Sequence, residues 1–554
     1  MGNTISYNEV DYVLDLGERG KVKGIQYDDK ARRYAGIPYG LPPTGEHRWR
    51  KPRPLPDGWT LSDEDGCPLD ARKFRPPAPQ ASFSSGAEKD QVDDEEYSED
   101  CLVLNIWTPV ERNEESSSRS KWPVYVWLHG GWFQMGTPSQ EPSMSPVEKI
   151  STGKLNAVVV AVGYRLNVFG FLASEELRQE SHGESAGNFG LWDQRLALEW
   201  VKANIHLFGG DAGNITLAGR SAGSYGVHAQ LMYDFRRQCP SGAAAAASPP
   251  RDRREQLFHR VFMCSNAIPA QPRPLAEAQP QFDELCAHFG IPASAPASDK
   301  LSRLRRLPHA DLVQALGHLT RHTFRPVTDD LFVLPGMMEY QRSQAFADEF
   351  ARRGLRLLIG EVRNEETLYA TYNAPGRGLE SLRIEVANYY GDSAARRILE
   401  NYALPGPDAD DQAWRDLFGR IISDGQVRAP SRALVSSLAS RGVPLDRLWR
   451  YQIAYRLSFI TDKVAPINFG VAHAMDKPFW NYSIMLGPTP KERVLMDEWI
   501  KILVAFVQDD EAYDFGTTSV AEWKVATPQA TVEIQRDAGW EDLTRLGDVF
   551  AGYA

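Results

Sequence analysis

The sequence predicts an α/β protein with one large, mostly parallel central sheet and helices on both faces. Two observations carry this reading. Short apolar runs rich in branched residues recur along the chain, at 124–128 (VYVWL), 157–162 (AVVVAV), 215–218 (ITLA), 261–263 (VFM) and 355–359 (LRLLI). Runs that are apolar on both faces suit parallel strands buried between helical layers. Between and after them come helical periodicities. Leu198, Val201 and Ile205 share one helix face, and Met496, Trp499, Ile500, Leu503, Val504 and Val507 mark a long amphipathic helix. Strands alternating with helices imply one sheet covered on both sides.

Composition fits that architecture. Of 554 residues, 42% are hydrophobic and 24% charged, with 14 Trp, enough for a large core and too apolar for a disordered chain. The 62 basic and 73 acidic residues leave a net charge of −11, which argues against a broad nucleic-acid footprint. Five cysteines without a CxxC pair exclude a disulfide-built scaffold and a structural zinc site. No apolar run is long enough to span a bilayer. The N-terminus shows no secretory signal as written, so a cytoplasmic location is expected, with secretion open if the start is incomplete. Gly2 to Ser6 fits the loose N-myristoylation pattern, but no basic residues follow to support one acyl chain. Length alone suggests three or four domains at about 150 residues each. Three segments read as surface insertions instead: 76–99 (Pro/Ser-rich, then acidic), 112–121 (polar) and 241–254 (alanine- and proline-containing).

The pattern G-x-S-x-G occurs twice, around Ser185 and around Ser221. A nucleophilic serine of this kind sits on a sharp strand-to-helix turn. Ser221 follows a strand-like run and precedes a helix-like one, and Gly219 and Gly223 let the backbones pass closely. Ser185 follows the polar stretch Gln179, Glu180, Ser181, His182, so the first copy reads as a chance match in a loop. A serine needs a base and an oxyanion site. His129, Gly130, Gly131 and Trp132 follow the strand at 124–128 directly, and such a turn can aim several N–H groups at one spot.

With these motifs in place the chain resembles a type-B carboxylesterase, the lipase and cholinesterase branch of the α/β-hydrolases, and especially fungal members. The resemblance rests on 208–223 around the serine, 99–107 (EDCLVLNIW), 36–39 (GIPY), 164–171 (YRLNVFGF) and 187–195 (GNFGLWDQR), in order, from about residue 10 to the C-terminus. It implies the α/β-hydrolase fold and one catalytic domain over 1–554, because site motifs run from residue 129 to residue 473. It also implies a triad acid in a G-x-x-x-x-E segment. Here Glu365 takes that register, with Glu366 and Glu361 as alternatives. The family histidine lies in an H-x-x-E/D loop, which His473 fits best of the 11 histidines. The order serine, acid, histidine is that of the fold.

The same resemblance implies an oxyanion hole from the N–H groups of Gly131, Trp132 and Ala222, a supporting role for Ser265, a disulfide between Cys67 and Cys101, and no cofactor or metal. Cys239, Cys264 and Cys286 form no second pair. Trp132 stands where many relatives have glycine, and Arg220 where glutamate is common. A cation beside the serine, and no carboxylate, disfavours a quaternary-ammonium substrate. The expected partner is a small-molecule ester, uncharged and of moderate size, with a natural-product tailoring role in view. Acyl transfer to an alcohol would use the same residues. A non-catalytic adhesion or scaffold role is the rival, and it fits poorly with a retained Ser221, His473 and glutamate.

Overall fold

The five apolar runs all form strands. The computed structural model describes residues 7–553 except 64, 82–96, 111–120, 140–143, 238–254, 373 and 407. Gly2 to Ser6, most of the 76–99 and 112–121 segments, and all of 241–254 lie outside the described residues.

Among the described residues fifteen strands follow in chain order. They are β1 (Glu9–Asp15), β2 (Lys21–Tyr27), β3 (Ala31–Pro38), β4 (Gly40–Leu41), β5 (Arg53–Pro54), β6 (Leu69–Asp70), β7 (Val103–Pro109), β8 (Trp122–Leu128), β9 (Val158–Val162), β10 (Gly210–Arg220), β11 (Arg260–Cys264), β12 (Arg356–Val362), β13 (Leu448–Ile453), β14 (Glu522–Ala526) and β15 (Val532–Arg536). Strands β4 and β5 pair separately. The rest form one sheet, in the order β1, β2, β3, β7, β9, β8, β10, β11, β12, β13, β14, β15, with β6 beside β2. From β9 to β14 every pairing is parallel. The edge pairings are antiparallel, apart from the short β6, which runs parallel to β2.

Alternation along the parallel strands feeds two cores. Val124, Val126, Leu128, Val158, Val160, Val162, Leu217, Val261 and Met263 face one side, with the helices Phe189–Asn204 and Ala222–Arg237 packed there. Tyr125, Trp127, Val159, Ala161, Ala218, Phe262, Leu358 and Tyr451 face the other, under the helix Pro490–Gln508. That helix buries Met496, Trp499, Ile500, Leu503 and Val507 of the stripe its periodicity predicts, while Val504 is half-buried. Each such side chain contributes about 1.5–3 kcal/mol on burial. A third cluster builds a cap from helices between β12 and β13, among them Leu379–Tyr390 and Asp411–Ser423, joined by Phe550 of the last helix. Among the described residues no helix is long and apolar enough to cross a membrane.

Sequence periodicity does not reveal β13, because Arg450 lies in it. Arg450 is buried, and Asp537 resolves the conflict by pairing with both Arg450 and Arg432. Arg432 also binds Glu361 at 2.7 and 3.1 Å. Two cations and two anions thus close a neutral buried network. Glu361, the third acid candidate, is committed to this network.

The expected Cys67–Cys101 bridge is not formed; both are free thiols. Cys67 is exposed in a turn whose N–H donates to Asp63 Oδ1 at 2.7 Å, whereas Cys101 is buried and its thiol pKa is pushed far up by that burial. Iodoacetamide on the native protein should therefore alkylate Cys67 and spare Cys101 until denaturant is added, as peptide mapping will show; equal protection of both would contradict the free-thiol geometry. Asp537→Ala should cost about 3–5 kcal/mol, because it strands Arg450 in the core. Equilibrium urea unfolding measures this, and an unchanged midpoint would rule out a stabilising network.

Candidate active site

Ser221 sits where β10 ends and the helix Ala222–Arg237 begins. Its φ is +54°, a left-handed conformation that costs a non-glycine residue about 1–3 kcal/mol. Neighbouring glycines make the turn feasible. A Cβ on Gly219 would lie 2.8 Å from the Ser224 nitrogen, and one on Gly130 would lie 2.7 Å from the Arg220 carbonyl oxygen and 3.1 Å from Ser221 Cβ. A Cβ on Gly223 would collide with the Leu128 and His129 carbonyl oxygens. The Ser221 N–H donates to the Cys264 carbonyl at 2.8 Å, and the Ser265 N–H to the Gly360 carbonyl at 2.8 Å, so the tips of β10, β11 and β12 are tied in series.

The turn after β8 is held rigidly beside this elbow. Gly131, Trp132 and Phe133 all have positive φ, and the Gly131 carbonyl accepts from both Gln134 and Met135. His129 stacks on Tyr164 at 4.4 Å, and burial takes its pKa down to about 4. It is a neutral wedge in the turn. Ala222 opens its helix, where first-turn N–H groups have no intrahelical acceptor. The Trp132 indole packs against the cap cluster containing Tyr369, Tyr389 and Phe418.

Two loops bring an acid to a histidine. His473 Nδ1 lies 2.5 Å from Glu365 Oε2. Glu365 is fully buried and its Oε1 accepts from the Val362 N–H at 2.9 Å, so both carboxylate oxygens are directed. Glu366, the neighbouring candidate, is partly exposed and pairs with Arg428 instead. The loops are clasped reciprocally: Asn364 N–H donates to the Val471 carbonyl at 2.9 Å, and Val471 N–H donates to Asn364 Oδ1 at 3.1 Å. Gly470, at φ +63°, leaves room for that asparagine.

A further link joins the serine and histidine segments, and the sequence did not announce it. Arg220, next to Ser221, donates through Nε to Asp476 Oδ1 at 3.0 Å, three residues beyond His473. Both are buried. The signals were present separately, as the arginine in place of glutamate and the aspartate of H-x-x-D. This pairing corrects the expectation of a bare cation beside the nucleophile, because the positive charge is compensated.

Two other sequence candidates sit differently. Ser265 is buried at the tip of β11 with φ +51°, and among the described residues its Oγ has no hydrogen-bond partner, so it does not bind Glu365 or His473. Ser185 lies in a turn closed on Ser181, away from any strand end.

A family model, the carboxylesterase family, matches residues 12–544. The chain belongs to the carboxylesterase family. It is similar to an uncharacterised esterase/lipase of Schizosaccharomyces pombe, 36% identical over 97% of this chain and 94% of that protein. A carboxylic ester hydrolase of Gibberella moniliformis is 33% identical over 97% and 96%, and a phenmedipham hydrolase of Pseudarthrobacter oxydans is 31% identical over 80% and 78%. This carboxylesterase is accordingly an ester-hydrolysing enzyme on the α/β-hydrolase fold.

Arg220→Met should destabilise the carboxylesterase by about 3–5 kcal/mol, since Asp476 is left buried and unpaired. Adding Asp476→Leu should restore most of that loss. Urea denaturation of the single and double variants decides it, and a double variant weaker than the single would show that the pair does not act as a unit.

Proposed function

We propose that the protein hydrolyses an uncharged ester of moderate size through an acyl-serine intermediate. Ser221 Oγ attacks the ester carbonyl while His473 takes its proton. Glu365 fixes the tautomer by accepting a hydrogen bond from Nδ1–H, so that Nε2 faces the chemistry, and stabilises the imidazolium that forms. The N–H groups of Gly131, Trp132 and Ala222 receive the oxyanion, each such donor contributing roughly 3 kcal/mol to lowering the barrier. His473 then protonates the departing alcohol, and water repeats the cycle on the acyl-serine.

The observation that carries this reading is the buried 2.5 Å contact between His473 and Glu365, on strand-end loops adjoining the strained turn of Ser221. The 3.0 Å bond from Arg220 to Asp476 supports the approach of the serine and histidine segments. Arg220, paired with Asp476, leaves no free carboxylate at that position, which supports a neutral substrate over a quaternary ammonium ester. The spread of these residues along the chain supports one catalytic domain over 1–554.

A fluorophosphonate should label Ser221, located by mass spectrometry, and p-nitrophenyl butyrate should be turned over. Label at Ser185, or neither label nor turnover, would overturn the reading. Glu365→Gln should lower kcat by about 10⁴-fold, whereas Glu366→Gln should leave kcat near wild type. The reverse ranking would move the acid to Glu366.

A further inference from the structure

Beside the serine's helix lies a small cavity with an uncommon lining. It has a volume of about 20 Å³ and is bounded by Tyr225 of that helix, by Arg273 and Arg325, and by Tyr389 and Gln426 from the cap side. A single water needs about 10–15 Å³ of such space, so the cavity admits one compact species.

The two arginines set its chemistry. Each is only 6% exposed. Arg325 Nη2 donates to Gln426 Oε1 at 2.9 Å and its guanidinium lies 4.9 Å from the Tyr389 ring centroid, while Nη1 is buried without an acceptor. Arg273 Nη2 donates to Gln281 Oε1 at 2.6 Å, while its Nε is buried without an acceptor. Among the described residues neither forms an ion pair. The nearby carboxylates are engaged elsewhere: Asp392 with Arg321 at 2.6 Å, and Glu277 with the Ser393 hydroxyl at 2.6 Å. Burial, and then the neighbouring Arg321 and Arg325, push the Arg273 pKa down to about 10. Two buried cations held by neutral amides and one aromatic ring are costly unless an anion completes them.

We propose that this cavity is a binding site for a compact monoanion of chloride size, held between Arg273 and Arg325. It ties the cap side to the loop after β11: Gln426, which holds Arg325, also accepts through its carbonyl from the Ala267 N–H at 3.0 Å. Binding there takes no part in the proposed ester chemistry, and the site takes a free ion because the space is too small for a bulkier group.

The melting temperature of the full chain, compared in sodium chloride and sodium gluconate at equal ionic strength, tests this. Chloride should raise Tm saturably, and Arg325→Gln and Arg273→Gln should abolish the chloride-specific rise. Turnover of p-nitrophenyl butyrate in both salts reports the ester chemistry separately. Should a variant not fold, crystals of the wild type soaked in bromide give the answer alone, by an anomalous peak between the two guanidinium groups. Equal Tm in both salts, or no such peak, overturns the proposal. Chloride-independent preference for p-nitrophenyl hydrogen succinate over the butyrate, erased by Arg325→Gln, would assign the anion to a substrate carboxylate and overturn the free-ion site.

Discussion

Between residues 219 and 223 the chain leaves a strand and starts a helix where the backbone passes so close that no side chain fits on the inner face. That crowding dictates much of the rest. β8 and β10 must be parallel neighbours, so that the carbonyl oxygens of Leu128 and His129 lie against Gly223. The same adjacency sets the turn at Gly131 and Trp132 next to Ser221. The serine's left-handed backbone is maintained because strand register and helix packing over-determine it.

Charge is handled by pairing inside the fold. The Arg220–Asp476 bond and the Arg432 network each hold opposite charges in the interior, and the Glu365–His473 contact sets a carboxyl group against an imidazole there. Pairing so deep in the molecule is weak testimony for net stability, because desolvation offsets most of the attraction. Its stronger effect is orientational. A carboxylate with one oxygen on a backbone N–H and the other on an imidazole has no freedom to rotate.

Much of this was legible beforehand. The five parallel strands and the serine turn show in the sequence because their signals are local: apolar runs and small residues at fixed offsets. Glu365 was the expected acid, with Glu366 beside it left open, because one residue of register along a loop turns a carboxyl group from His473 toward Arg428, and loop register is not written in periodicity. β13 was hidden by Arg450, whose partner Asp537 is 87 residues away. The Cys67–Cys101 bridge was borrowed from relatives, and the folded chain separates an exposed turn from a buried thiol. The cap helices gave no motif at all, since their packing partners are one another.

The clasp between Asn364 and Val471 spans 107 residues and closes a loop that contains the cap helices Leu379–Tyr390 and Asp411–Ser423. Closing a loop costs entropy only logarithmically in its length, about 0.6 kcal/mol for each doubling. Lengthening, shortening or resequencing the helices inside it therefore changes that entropy little, as long as both ends remain pinned. Architecture of this kind lets the cap be rebuilt as an interchangeable module, while Glu365 and His473, next to its two ends, stay in register.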